Sequence, residues 1–138
     1  MAFGKAGVIA FSCLLLTTGA FLVHAVRVYS LFAVPFSCNY AASCGDETLS
    51  GTTLSASCAD ISGNPVTSSL DLNAKISNND GQLVCPGADF AASCSNVGLS
   101  GGHTLVANCK NVNGAVIQTS LDLNNCISNN DGYLQFCV

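Results

Sequence analysis

The sequence predicts an all-β fold held together by disulfides. Three observations carry this expectation. Short stretches alternate small apolar and polar residues with a period of two, Asn-Asp-Gly triplets of the hairpin-turn type occur twice, and cysteine is abundant. The chain has 138 residues, which sets a prior of about one domain. Nine residues are cysteine, 13 are glycine, none is tryptophan, and only 9% are charged.

The elements follow in chain order. Lys5 gives a short positive start, and Ala6 to Val23 is an almost unbroken apolar run of 18 residues. Val23-His24-Ala25 then has the small-residue pattern of a signal-cleavage site. Residues 1–25 therefore read as a signal peptide, with Ser30 and Ala33 as rival cleavage points, and the expected location is secreted and extracellular. An uncleaved signal anchor is the alternative, because a run of 18 apolar residues can cross a bilayer.

Cys13 falls inside that segment, so eight cysteines remain for the domain at 36–138. An even count in a secreted chain of this size implies a disulfide framework, and spacing alone cannot choose the connectivity. Zinc is a poor alternative, since no C-x2-C pair occurs and His103 is the only histidine past the signal. From Phe36 onward Lys75 and Lys110 stand against eight carboxylates, a net charge near −6. That excludes a phosphate-binding surface for nucleic acid and disfavours anionic membranes.

The domain repeats itself. Ala41-Ala42-Ser43-Cys44 returns as Ala91-Ala92-Ser93-Cys94, and Leu49-Ser50-Gly51 as Leu99-Ser100-Gly101. Ser69-Leu70-Asp71-Leu72-Asn73 returns as Ser120-Leu121-Asp122-Leu123-Asn124, and Ile76-Ser77-Asn78-Asn79-Asp80-Gly81 as residues 127–132. The offset is 50 before Leu54 and 51 after it. Two copies, about 38–87 and 88–138, are too few for a solenoid, so they are expected to form one pseudo-symmetric body.

Within each copy, 53–58 and 104–109 alternate as strands after glycine turns at Gly51 and at Gly101-Gly102. Residues 66–70 and 116–121 are further short strands. Asp71-Leu72-Asn73 reads as a cap followed by a single helical turn. Asn79-Asp80-Gly81 and Asn130-Asp131-Gly132 are hairpin turns, because their residues tolerate positive φ.

The same two Asn-Asn-Asp stretches carry the chemistry suited to a neutral polar ligand, with donors and acceptors on rigid hairpins. Calcium is disfavoured, because the D-x-D-x-D-G spacing with a distal Glu is missing. No catalytic constellation competes: there is no G-x-S-x-G, and His103 sits among turn glycines. Asp80 and Asp131 are pseudo-equivalent, so they belong to separate places rather than to one glycosidase cleft. The chain is read as a non-enzyme that needs no cofactor and no metal.

The two copies resemble the cyanovirin-N homology family of sugar-binding proteins over residues 36–138. The resemblance rests on the cysteine pairs at spacing 14 (Cys44, Cys58) and 15 (Cys94, Cys109), the S-L-D-L-N block, the I-x-N-x-D-G-x-L hairpin and the repeat itself. It implies an all-β lectin whose pseudo-symmetric halves exchange strands. It also implies metal-free recognition of α1,2-linked mannose on mannose-rich glycans, by a monomer or a domain-swapped dimer. One implied site combines Asn39, Ser43, Ile61, Ser62, Asn129, Asn130 and Asp131. The other combines Asn78, Asn79, Asp80, Asp89, Ser93, Lys110 and Asn111. Ala59 and Ala92 stand where the family pattern has acids, and Val112 where it has an arginine. The alternative function is a secreted, disulfide-rich defence or interaction protein that keeps the fold without strong glycan binding.

The resemblance also implies disulfides Cys44–Cys58 and Cys94–Cys109. Repeat symmetry places Cys38 at Ala88 and Cys137 at Pro86, two residues apart. If the chain ends meet as that junction does, Cys38 pairs with Cys137, as the family's adjoining termini suggest. Cys85 and Cys126 then pair by elimination.

Overall fold

The computed structural model describes residues 38–138, so the signal segment, its cleavage points and Cys13 lie outside the described residues. Ten strands and four single-turn 3-10 helices make up the described chain. Strands β1 (Cys44–Ser50), β2 (Thr53–Ala59) and β3 (Pro65–Asp71) form one antiparallel sheet in that order. Hairpin one follows, with β4 (Ser77–Asn79) and β5 (Gln82–Val84). The second repeat copies this pattern with the sheet β6 (Cys94–Ser100), β7 (Thr104–Lys110) and β8 (Val116–Asp122). Hairpin two, β9 (Ile127–Asn130) and β10 (Tyr133–Phe136), completes it.

The central strands show why these residues make sheets. On β2, Leu54, Ala56 and Cys58 face the core with at most 2% exposure, and on β7 Leu105, Ala107 and Cys109 do the same. Their neighbours point outward, so the period-two pattern of the sequence is the burial pattern of the strand. Strand β1 alternates only between half-buried and exposed positions, with none fully buried, and β6 does not alternate. Each carries a bulge, between Gly45 and Thr48 and between Ser95 and Gly98. Asp46 and Asn96 take positive φ there, which breaks the period.

Each hairpin packs on the sheet of the other repeat. The Leu134 N–H donates to Ser68 Oγ on β3 (2.9 Å), and the Leu83 N–H to Thr119 Oγ1 on β8 (3.2 Å). Each half of the body is thus built from parts of both repeats. The hairpin tips fix how closely they dock. A Cβ at Gly132 would come within 2.8 Å of Val66 Cγ2, and one at Gly81 within 2.8 Å of Ile117 Cγ1. Both glycines also hold φ near +90° in turns that begin at Asp131 and Asp80.

Asp71 and Asp122 act as the expected caps, each accepting from the backbone N–H two residues on (Asn73 and Asn124, 3.0 Å). Asn73 and Asn124 then tie down the start of a repeat. Asn124 Oδ1 accepts from the Ala41 N–H and Asn73 Oδ1 from the Ala91 N–H. The Asn39 N–H donates to Asn124 O as the Asp89 N–H donates to Asn73 O, both at 2.8 Å. The first described residues therefore sit against repeat two as the repeat junction sits against repeat one. Cys38 and Cys137 meet there with Cα atoms 5.9 Å apart and are bonded. Cys44–Cys58 and Cys94–Cys109 close the β1–β2 and β6–β7 hairpins.

The fourth expected pair is corrected by the structure. Cys85 and Cys126 are free thiols, Cys126 buried and Cys85 half-buried. A disulfide requires a particular separation and Cβ direction, which elimination does not supply. Burial pushes both thiols above the ordinary cysteine range.

Candidate functional site

Two loops of the same design face the two hairpin tips. In the first, Asp60 organises residues 60–64. Its Oδ1 accepts from the Ser62 and Asn64 N–H groups, both at 2.8 Å. The Asn64 backbone N–H, followed by its side-chain amide and the Ser62 N–H, holds the Asp60 carboxyl below the usual carboxylate range. In the second loop Asn111 does this work without charge, accepting from the Asn113 and Ala115 N–H groups. Ile61 and Val112 project from the two loops with 84% and 81% exposure.

Each loop is clamped by the hairpin of the other repeat. The Ile61 N–H donates to Asp131 Oδ1 (2.8 Å) and the Val112 N–H to Asp80 Oδ1 (2.9 Å). Below the aspartates, Asn129 Nδ2 donates to Ser43 Oγ and Ala59 O, and its Oδ1 accepts from the Gly132 N–H, all at 2.8 Å. Asn78 makes the matching bonds to Ser93 Oγ (2.8 Å), Lys110 O (2.7 Å) and the Gly81 N–H (2.8 Å). Two of the residues singled out for ligand contact are therefore spent on holding hairpin to sheet. Asn129 and Asn78 spend their side-chain amides on building the site.

Between hairpin two and the first loop lies a cleft of about 460 Å³ lined by Ser43, Ala59, Asp60, Ile61, Asn129, Asn130 and Asp131. Five of the seven residues expected for this site line it. Ser62 sits on the same loop outside the lining, and Asn39 precedes the 3-10 turn Tyr40–Ala42 in the left-handed conformation, with no side-chain bond to that turn. Ser43 still has its hydroxyl hydrogen to donate, and Asp131 its second carboxylate oxygen to accept. Ala59 and Asp60 were not among the expected residues. Asp60 was legible, because its repeat equivalent Asn111 was among them. Ala59 offers no side-chain chemistry, and only its place beside Cys58 marks it.

On the other side a smaller cleft of about 170 Å³ runs between Ala92, Ser93, Cys94, Ser95, Asn108, Lys110 and Val116. Of the expected set only Ser93 and Lys110 line it. Asn78 braces it from below, Asp80 holds Val112, Asn111 shapes its loop, and Asn79 is exposed on hairpin one. Asp89 precedes the turn Phe90–Ala92 in the left-handed conformation, and its Oδ1 accepts from Asn73 Nδ2 (3.4 Å). Where Ala59 leaves room in the first cleft, the second carries the long side chain of Lys110.

The strand-exchanged body and its exposed, weakly charged clefts define a carbohydrate-binding, lectin-type class of protein. The family model described as the CVNH domain matches residues 40–135, and the chain belongs to that family. Among solved structures, the CVNH protein of Gibberella zeae is 30% identical with a TM-score of 0.67, over 72% of this chain and 98% of its own. That of T. borchii is 36% identical with a TM-score of 0.64, over 71% and 98%. Microvirin, solved as a complex with mannobiose, is 28% identical with a TM-score of 0.62, over 72% and 98%.

Proposed function

We propose that the protein is a secreted lectin that binds mannose-rich glycans ending in α1,2-linked mannose, without metal, through the larger cleft. The observation that carries this reading is that cleft. Ser43, Asn130 and Asp131 converge there on an open, unoccluded space, in a fold shared with a protein solved with mannobiose. Hydroxyl, amide and carboxylate groups are the partners that sugar hydroxyls need, and a pocket of few polar groups on rigid elements gives orientation. Secretion is supported by the apolar segment at 6–23 and by three disulfides, which persist in oxidising compartments.

A glycan array probed with the protein in the presence and absence of EDTA tests the proposal. Retention on oligomannose that survives EDTA is the expected result. Silence on every glycan from a correctly folded sample would overturn it in favour of a protein-contact role.

A further inference from the structure

We infer that Tyr133 extends the larger cleft into a second subsite, which takes the next pyranose ring of a bound oligosaccharide. This rests on the lectin reading of that cleft and goes beyond it. Tyr133 begins β10 directly opposite Asn130 in the hairpin register. Directly opposed residues on one sheet face have Cβ atoms about 5 Å apart. Asn130 lines the cleft, so the Tyr133 ring continues the cleft's wall along the hairpin.

The outer face of hairpin two is composed for such a ring. Asn130, Tyr133 and Gln135 are all exposed on it, whereas Ile127 and Leu134 are buried on the inner face. Asn130 Nδ2 donates to Gln135 Oε1 (3.2 Å), which orients both amides. That leaves the Asn130 carbonyl as acceptor and the Gln135 amide as donor beside the ring. Tyr133 is 60% exposed, while Tyr40 and Phe90 are fully buried. A pyranose has one face of C–H groups and a rim of hydroxyls, so it matches an aromatic surface flanked by amides. The buried Gly132 at the tip pins the hairpin to β3, so the platform is preformed. Hairpin one lacks this face: Gln82 stands at the place of Tyr133, and Val84 at that of Gln135. The platform therefore makes the two clefts unequal.

Titration with mannose and with mannobiose tests the subsite. The readouts are affinity and the NMR signals of 13C-labelled tyrosine rings, with buried Tyr40 as internal control. Mannobiose is expected to shift the Tyr133 ring signals and leave Tyr40 unmoved. Tyr133→Ala is expected to weaken mannobiose roughly 3- to 10-fold and to leave mannose unchanged, while Tyr133→Phe retains the wild-type affinity. Equal mannobiose affinity in Tyr133→Ala and wild type would overturn the subsite and leave the lectin reading standing. Failure of the wild type to bind either sugar would overturn the mannose reading, and the subsite with it.

Discussion

Asp131, in the last hairpin, accepts a hydrogen bond from the backbone N–H of Ile61, in the first repeat, at 2.8 Å. The bond joins residues 70 apart in the chain at the rim of the larger cleft, and it uses one carboxylate oxygen while leaving the other open. Asp131 is therefore both a loop clamp and a ligand group. Asp131→Ala is expected to abolish glycan binding at this cleft and to lower stability by about 1 kcal/mol, the ordinary net value of one hydrogen bond. Asp131→Asn keeps an acceptor for Ile61 and is expected to retain stability while weakening binding. Paired titrations and thermal melts of the two variants separate the roles.

Asn129 has a different expected signature. Its three hydrogen bonds brace hairpin two against Ser43, Ala59 and its own turn. Asn129→Ala strands the half-buried Ala59 carbonyl and the Gly132 N–H, and is expected to cost about 1–3 kcal/mol. Denaturant unfolding will show the loss even with no glycan present. Replacing Asn129, Asn130 and Asp131 together would mix a folding defect with a binding defect, so the single variants are the informative ones.

The sequence made some of these features legible and concealed others for physical reasons. Strands β2 and β7 could be read because alternation mirrors burial, and the hairpin tips because Asp-Gly turns demand positive φ. Strands β1 and β6 were hidden, because their bulges at Asp46 and Asn96 break the period. At the site, Asn129 and Asp131 were recognisable as polar residues on a rigid turn. Which of their atoms remain free depends on contacts with Ser43 and Ile61, 86 and 70 residues away in the chain, and local pattern cannot report those. Tyr133 was passed over because one exposed aromatic is unremarkable until its neighbour Asn130 is seen to line a cleft.

The Cys38–Cys137 bond closes a loop with a sequence separation of 99, against 14 for Cys44–Cys58. In the chain-entropy account the long closure is worth about 4–5 kcal/mol and the short one about 3 kcal/mol. Replacing Cys38 and Cys137 with serine is therefore expected to destabilise the domain more than replacing Cys44 and Cys58. It also releases the Tyr40–Ala42 turn, which forms one flank of Ser43 in the cleft. Urea midpoints of the two double variants check the order, and a larger loss from the short closure would contradict it.

Stability is expected to fall on the alkaline side, with Tyr40 as one identifiable source. Tyr40 is fully buried, and its hydroxyl donates to Gly102 O (3.1 Å). Burial first, then the charges of Glu47 and Asp122, push its pKa above the ordinary tyrosine value. Cys126 and Cys85 are shifted in the same direction, again mainly by burial. In the unfolded chain these groups release protons near their ordinary values, about 8.5 for cysteine and 10 for tyrosine. The folded chain holds its protons to higher pH, so it binds more of them than the unfolded chain throughout that window. Stability contributed by such groups is complete below the unfolded pKa values and is lost as pH rises above them, by at most about 1.4 kcal/mol per pH unit for each proton. Tyr40→Phe gives the fold the aromatic already used at its repeat equivalent, Phe90. It is expected to cost about 0.5–1.5 kcal/mol near neutral pH through the lost hydrogen bond, and to flatten the decline above pH 10. Unfolding free energies measured from pH 7 to 11 on wild type, Tyr40→Phe and a Cys85→Ser/Cys126→Ala variant will separate the contributions. The thiol variant is expected to remove the part of the decline that begins nearest pH 9. A Tyr40→Phe curve parallel to wild type above pH 10 would show that Tyr40 ionises as easily folded as unfolded.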